Sequence, residues 1–458
     1  MLQSSDGPIH FMAIGGAGMS PLAEILLARG FRVSGSDIRQ SDITDRLIQH
    51  GARVVTGPHN AASIHDATTL VRSTAIRDDN PELVAGREKG LRIMHRSELL
   101  GELLAEGVPV AVAGTHGKTT TSSMIAVMLV HAGLDPTAIV GGEVRDLGGH
   151  HRVGGDLYVL EACESDRSFL NYPGCNQVIT NLEPDHLDQH GTFERVIEIF
   201  GHFVALGRLD GFLVYCADSP ELVELSKQAP GKRIAYGMAE TAAYRVSDVT
   251  TSLRGCAFTV RCPCGAERRV ELKVPGEHNA LNATSAFAVA MELGVDPETA
   301  IEGLAKFTGV GRRFDILYDD GEKLVVDDYA HHPTEIRATL RAAQAGWDGK
   351  VIAIFQPHLY SRTKLLFDDF AHAFGDADEV IITDIYAARE DLDPTITGAM
   401  LHAAIAEVEA DKPALFLPAK ERIVAHLLAT LSPGDMAICI GAGDIVGVGE
   451  QVAAALDA

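Results

Sequence analysis

At 458 residues, with 46% hydrophobic and 22% charged side chains, the chain has the make-up of a globular protein of roughly two to four domains. Its 63 acidic against 39 basic residues give a net charge of −24, which argues against a nucleic-acid groove while leaving room for a positive pocket that takes a small anion. No apolar run approaches the ~20 residues that span a bilayer, MLQSSDGPIHF carries no basic leader region, and seven cysteines, an odd number, suit a reducing cytoplasm.

The elements fall into three α/β blocks. The first opens with a strand at Ile9–Ile14, a glycine turn (Gly15, Gly16, Ala17, Gly18, Met19, Ser20) and a helix from Pro21 to about Arg29. A second strand, Arg32–Ser36, ends at Asp37, and a strand at Leu70–Ser73 and the segment Leu91–Leu104 close the block. This is the dinucleotide-type layout, with an acid about twenty residues after the turn. Its fingerprint is incomplete, because Met19, Ser20 and Pro21 follow where a third glycine is expected. Alone it supports phosphate at a helix N-terminus.

The second block begins with the apolar strand Val108–Ala113 and the loop Gly114-Thr115-His116-Gly117-Lys118-Thr119-Thr120, followed by helix from Ser122 to Val130. Strand, glycine loop with Lys-Thr, and helix together place backbone N–H groups around phosphates, with Lys118 on the outer phosphates and the Thr119 hydroxyl on a cation. Val112 stands where the usual pattern has its first glycine. Strands Leu157–Leu160 and Gln177–Thr180 run into Glu161-Ala-Cys-Glu164-Ser-Asp166 and Asn181-Leu-Glu183-Pro-Asp185-His186-Leu-Asp188. At neighbouring carboxyl ends beside the phosphate loop, such carboxylates and an imidazole suit Mg²⁺; a solvated acidic loop is the plainer reading of either cluster alone. A further strand is expected at Gly211–Tyr215. Residues 244–274 read as antiparallel strands, where Cys256, Cys262 and Cys264 are ordinary thiols on a hairpin rather than a metal knuckle, since no fourth ligand lies at zinc spacing. Asn279 and Asn282 share one face of a following helix and suit a purine edge, with helix capping the plainer role for Asn279. Arg312 and Arg313, at the boundary with the third block, could close onto a γ-phosphate.

The third block alternates strands (Lys323–Val326, Val351–Phe355, Glu379–Thr383, Ala414–Leu417, Met436–Ile440) with helices, which predicts a mostly parallel sheet. Two polar runs, Asp327-Asp328-Tyr329-Ala330-His331-His332-Pro333 and Gln356-Pro-His358-Leu-Tyr360-Ser-Arg362, each follow a strand and together favour a site at one sheet edge.

IGGAGMS, GTHGKTTT, EACESD, NLEPDHLD, HNALN, GRRFD, DDYAHHPTEI, FQPHLYSRT and DIYAARE stand in an order that resembles the Mur ligase family from Ile9 to about Gly449. DDYAHHPTEI and FQPHLYSRT are similar to the family's alanine-adding branch. The resemblance implies an α/β chain of three domains: an N-terminal Rossmann-like UDP-sugar-binding domain (1–105), a central P-loop ATPase-like domain that binds ATP (106–315) and a C-terminal Rossmann-like amino-acid-binding domain (316–458). It implies a cytoplasmic, ATP-dependent amide-forming ligase of peptidoglycan precursor synthesis, monomeric or homodimeric, using Mg²⁺ (or Mn²⁺), without nucleic-acid or membrane partners. Its substrates would be ATP, L-alanine and UDP-N-acetylmuramate, whose lactyl carboxylate is activated as an acyl phosphate. An alternative is a ligase that recycles murein tripeptide onto the same nucleotide sugar. A non-catalytic sensor would require the loss of Lys118, Glu164 or His186, and all three are present.

Carried over residue by residue, Gly114–Thr120 would hold the triphosphate, and Thr119, Glu164 and His186 the metal. Asn279 and Asn282 would face adenine, and Arg313 the γ-phosphate. Gly15–Ser20, Asp37, Ser73 and Thr74, with Arg72, would receive the UDP portion. Tyr329, His331, His358 and Arg362 would line the muramyl and alanine site, with Lys118, His186, Arg313, His331 and Arg362 as catalytic groups. Leu359 stands where many relatives have arginine; if that arginine grips substrate in them, another group does so here or binding is weaker. Cys163 replaces an acid and leaves Glu164 intact. The chain has no lysine between Lys118 and Lys227, so the carbamoylated lysine of other branches has no counterpart there.

Overall fold

The structure, a computed structural model, describes residues 7–458; the opening residues 1–6, part of the stretch read as lacking a basic leader, lie outside the described residues. Three sheets organise the chain. The first is five-stranded and wholly parallel, ordered Arg53–Thr56, Val33–Asp37, Ile9–Met12, Thr69–Arg72, Arg92–His95. Chain order reverses beside Ile9–Met12, so the glycine turn opens at the switch point where α/β sheets bind ligands.

The second sheet has ten strands, with Val108–Ala113 between Asn176–Ile179 and Leu157–Glu161, all three parallel. The phosphate loop therefore emerges between the two acidic loops, as their shared position past neighbouring strands predicts. Tyr244–Ser252, Gly255–Arg261 and Glu267–Leu272 form the expected antiparallel extension. On it Cys256 and Cys262 are buried, and Cys264 is exposed at the turn. Strands at Thr137–Val144, Gly149–Arg152 and Lys232–Gly237 were not expected from sequence. Gly149–Arg152 holds no apolar residue beyond its glycine, and Lys232–Gly237 opens on two basic residues, so neither gives an apolar signal of strand length.

The helix after the phosphate loop starts at Lys118, four residues earlier than its apolar stretch suggests, and runs to His131. Threonines and serines fill its first turns and hide the onset. Gly117, at φ +79°, turns the chain into it, and a Cβ there would lie 2.7 Å from Asn282 Oδ1. Glycine is required on both counts.

The third sheet orders Asp315–Asp319, Leu324–Asp328, Asp435–Ile440, Lys350–Phe355, Glu379–Ile382 and Ala414–Phe416, parallel except for the first pair. One continuous apolar core runs through the first two sheets, whereas the third sheet has its own core on each face. No helix among the described residues is long and apolar enough to cross a membrane.

Candidate active site

A cavity of about 510 Å³ lies where the second and third sheets face one another, large enough for a nucleotide. Gly117, Thr119, Asn279, Asn282, Arg313 and Glu335 are among its lining residues. The phosphate loop is held from below. His116 N–H donates to Asn181 Oδ1 at 2.7 Å, and its carbonyl accepts from Thr180 Oγ1 at 2.5 Å. Gly114, at φ +133°, lies where a Cβ would meet Thr180 Oγ1 at 2.1 Å.

Lys118 Nζ donates to the carbonyls of Gly114 (2.6 Å) and Thr115 (3.0 Å) and to Glu164 Oε1 (3.0 Å). Burial works against its charge, but Glu164, Cys163 and Glu161 outweigh it and raise the ammonium above its ordinary range. Glu164 is 3% exposed, its Oε1 lies 3.5 Å from His186 Nε2, and its buried Oε2 has no hydrogen-bond partner. Thr119 Oγ1 donates to Glu161 Oε2 at 2.7 Å, and Gly141 N–H reaches the same oxygen at 3.0 Å. Glu164 and His186 form one pair and Thr119 and Glu161 another on either side of Lys118, and the orphaned buried oxygen of Glu164 among hard donors suits a Mg²⁺ ion. Glu161 opens the first acidic run, and its approach to Thr119 needs the two strands to be neighbours, a pairing that no local pattern gives.

Asn279 and Asn282 are buried and linked, Asn282 Nδ2 donating to Asn279 Oδ1 at 3.2 Å. Asn282 packs on Gly117 of the phosphate loop. Asn279 Nδ2 is used on the Pro275 carbonyl at 2.7 Å.

Three polar links join the third sheet's loops to the second's. Arg362 Nη2 donates to Asp185 Oδ1 at 3.2 Å, Thr334 Oγ1 to Glu183 Oε2 at 2.7 Å, and Glu335 Oε1 lies 3.2 Å from His116 Nδ1. Burial opposes the charge on Asp185, but Arg362 and three histidines hold it well below the carboxylate range. Burial likewise opposes the charge on His116, but Glu335 and Glu183 raise its imidazole to about 9. His116, Glu183 and His332 offer donor atoms within 4.8 Å of one another. His332 Nδ1 accepts from Thr334 N–H at 3.3 Å, and His116 is charged between two carboxylates, so the group is an ion-pair network.

Arg313 lies 3.6 Å from Glu335 Oε1 and 5.0 Å over the Tyr329 ring, whose other near cation is Arg312. Asp328, absent from the sequence assignments, fixes this turn by accepting from Phe314 N–H at 2.8 Å and Ala330 N–H at 2.8 Å. His331 Nδ1 meets the Tyr329 carbonyl at 3.0 Å, and His358 lies 3.4 Å from Arg362 Nη1. Burial drives His331 down to about 3 and His358 to about 4, so both imidazoles are neutral at pH 7. Tyr329, His331, His358 and Arg362 are thus gathered, but Arg362 is committed to Asp185 rather than standing free.

At the first sheet, Asp37 Oδ2 accepts from Gly15 N–H at 2.9 Å, bracing the glycine turn with one carboxylate oxygen. Ser73 and Thr74 follow the strand Thr69–Arg72, while Arg72 pairs with Asp78 at 3.1 Å. Arg96, which no motif flagged, covers Gly18: a Cβ there would lie 3.4 Å from its Cδ. Arg96 also reaches Asp166 of the first acidic loop at 3.2 Å.

Family models match along nearly the whole length: "Mur ligase family, catalytic domain" over residues 8–107, "Mur ligase middle domain" over 112–290, and "Mur ligase, glutamate ligase domain" over 312–443. The chain is 46% identical to a UDP-N-acetylmuramate–L-alanine ligase of Kineococcus radiotolerans, covering 97% of this chain and 95% of that one. It is 47% identical to the enzyme of the same name from Renibacterium salmoninarum, over 98% and 96%. Among solved structures it is similar to UDP-N-acetylmuramate-alanine ligase from Thermotoga maritima, with a TM-score of 0.81, 30% identity and coverage of 98% and 99%. It is also similar to a murein peptide ligase from Psychrobacter arcticus, with a TM-score of 0.69, 25% identity and 98% of each chain covered. Three matching domains in order, around a phosphate loop flanked by two acidic loops, place the chain in the Mur ligase family.

Proposed function

We propose that this chain is a cytoplasmic ATP-dependent ligase that joins L-alanine to the lactyl carboxylate of UDP-N-acetylmuramate. The convergence of His116, Thr119 and Arg313 at one cavity between the second and third sheets, with Lys118 in the same phosphate loop, supports this reading. A carboxylate is a poor electrophile with no usable leaving group, so one of its oxygens attacks the γ-phosphorus of ATP. The bond from that phosphorus to the β–γ bridging oxygen breaks, and ADP leaves. The amine of alanine then attacks the acyl carbon of the acyl phosphate, the C–O bond breaks, phosphate departs, and the nitrogen gives up a proton.

The residues serve this order of events. Lys118, freed from Glu164, spreads over the outer phosphates, and Arg313 and His116 add positive charge where it is needed as the phosphoryl group moves. Thr119, Glu161, Glu164 and His186 would hold Mg²⁺, which when bound neutralises phosphate charge. The glycine turn Gly15–Ser20, with Arg96 beside Gly18, binds the diphosphate of the nucleotide sugar. Tyr329, His331 and His358 line the acceptor side, where His331, with Nδ1 on a carbonyl, presents Nε2 to the incoming amine. Domains 1–105, 106–315 and 316–458 are the units that close to keep water from the acyl phosphate.

The test is phosphate release by purified chain with ATP, UDP-N-acetylmuramate and L-alanine. Release that needs all three, with amide product by mass, supports the reading; no amide with all three present sinks it. Competition between L-alanine and murein tripeptide separates it from the recycling reaction.

A further inference from the structure

Glu335 touches three parts of the site at once. It stands in the first turn of the helix Pro333–Gly346, and its side chain is 12% exposed. Oε1 lies 3.2 Å from His116 Nδ1 in the phosphate loop and 3.6 Å from Arg313 Nη1 in the segment leading into the third sheet. Oε2 accepts from the His331 N–H at 3.0 Å and lies 3.3 Å from that ring's Nδ1. The main chain of His116 is already fixed by Asn181 and Thr180, so what remains to be set is the direction of its ring. Glu335 lies 3.2 Å from its Nδ1, while Nε2, 3.6 Å from Glu183, is buried without a hydrogen-bond partner. Arg313 is similarly held between a carboxylate and the Tyr329 face.

A buried carboxylate beside a triphosphate cavity is electrostatically adverse unless it does something for the cations around it. Here it holds two of them, and it arrives on an element of the third sheet's block. We propose that Glu335 is a positioning residue for phosphoryl transfer: it orients His116 and Arg313 toward the γ-phosphate and ties them to His331 on the acceptor side. Both half-sites are then assembled only when the Pro333–Gly346 helix is docked on the phosphate loop. The inference rests on the ligase reading above. It predicts a defect in the chemical step rather than in binding, because the transferring phosphoryl group needs alignment that bound nucleotide does not.

The experiment compares Glu335→Gln, Glu335→Asp, His116→Gln and the Gln/Gln double variant with the wild type in the three-substrate assay. Glu335→Gln should lower kcat at least ~30-fold while KM for UDP-N-acetylmuramate and ADP affinity stay within ~3-fold. Glu335→Asp should recover part of the loss, and the double variant should be no slower than the slower single, since the two residues act as a unit. Wild-type-like kcat in Glu335→Gln, a loss confined to KM, or multiplicative effects in the double variant each overturn the inference. Should Glu335→Gln fail to fold, His116→Gln decides: an unchanged kcat overturns the inference, and a fall with intact ADP affinity supports it. A wild type that makes no amide defeats the ligase reading and this inference with it. A working wild type beside an unimpaired Glu335→Gln defeats the inference alone.

Discussion

Arg362 and Asp185 form a buried ion pair across the boundary between the third and second sheets, 3.2 Å apart and 8% and 6% exposed. The pair anchors the loop that carries His186 to the helix Tyr360–Leu365. Such a pair adds little stability over apolar packing, but removing one partner strands the other charge, at a cost of about 3–5 kcal/mol. Arg362→Ala should therefore lower stability by about that much and stop turnover. Arg362→Met combined with Asp185→Asn should recover most of the stability and none of the activity. Chemical denaturation with a parallel activity assay checks both, and wild-type stability in Arg362→Ala would show that the pair does not anchor the loop.

Lys118 is tied to two carbonyls of its own loop and to Glu164, and it exchanges the Glu164 contact for phosphate when nucleotide arrives. Lys118→Ala should reduce turnover by at least ~10²-fold, the scale seen when one preorganised transition-state donor is lost. Binding of UDP-N-acetylmuramate, measured calorimetrically, should stay within ~2-fold, because the glycine turn of the first sheet does not touch Lys118. Near-wild-type turnover would remove Lys118 from the triphosphate.

The phosphate loop was legible because one apolar strand, one glycine loop and one helix lie together in sequence, and local physics suffices. The acidic loops were legible for a related reason: each follows a strand, and strand neighbours share an edge. Glu335 was not, although it sits in DDYAHHPTEI, because its partners His116 and Arg313 lie in other parts of the chain. The Thr334–Glu183 link spans 151 positions and Arg362–Asp185 spans 177. Only the docking of two sheets reveals that these side chains meet. Arg96 had no signal beyond its place after a parallel strand, where a glycine turn nearby would have justified attention. Asp37 and Arg362 were read as free for ligand and turn out to hold protein groups as well, since pattern shows residue type but not prior commitment.

Two sets of histidines give stability opposite slopes with pH. His116 is raised to about 9 in the fold against roughly 6.5 unfolded, so its contribution is complete below about pH 6.5 and is lost as pH rises through 9. His331, His278 and His358 are pushed by burial to about 3, 4 and 4, so the unfolded chain binds more protons once pH falls below roughly 6.5. Stability falls on that side too. His116→Gln should flatten the alkaline limb of a melting-temperature profile between pH 6.5 and 9 and leave the acid limb in place. Parallel profiles for variant and wild type would show that His116 is not charged in the fold.

Leu359, where the family resemblance implies arginine, has a backbone role in the structure. It sits at φ +68°, a conformation unfavourable for a side chain, immediately before the helix that carries Arg362. Its N–H donates to the Tyr386 carbonyl at 2.9 Å, its carbonyl accepts from Thr363 Oγ1 at 2.8 Å, and its side chain is 4% exposed. Burial of the side chain, worth about 2–3 kcal/mol, outweighs the backbone strain of about 1–2 kcal/mol. Leu359→Ala keeps the strain and loses the burial, whereas Leu359→Gly loses both. The glycine variant should therefore be less stable than the wild type but more stable than the alanine variant, by about 1 kcal/mol. Denaturant midpoints of the three proteins check this order. If alanine were the more stable substitution, the positive φ at Leu359 would not be a strained conformation in this fold.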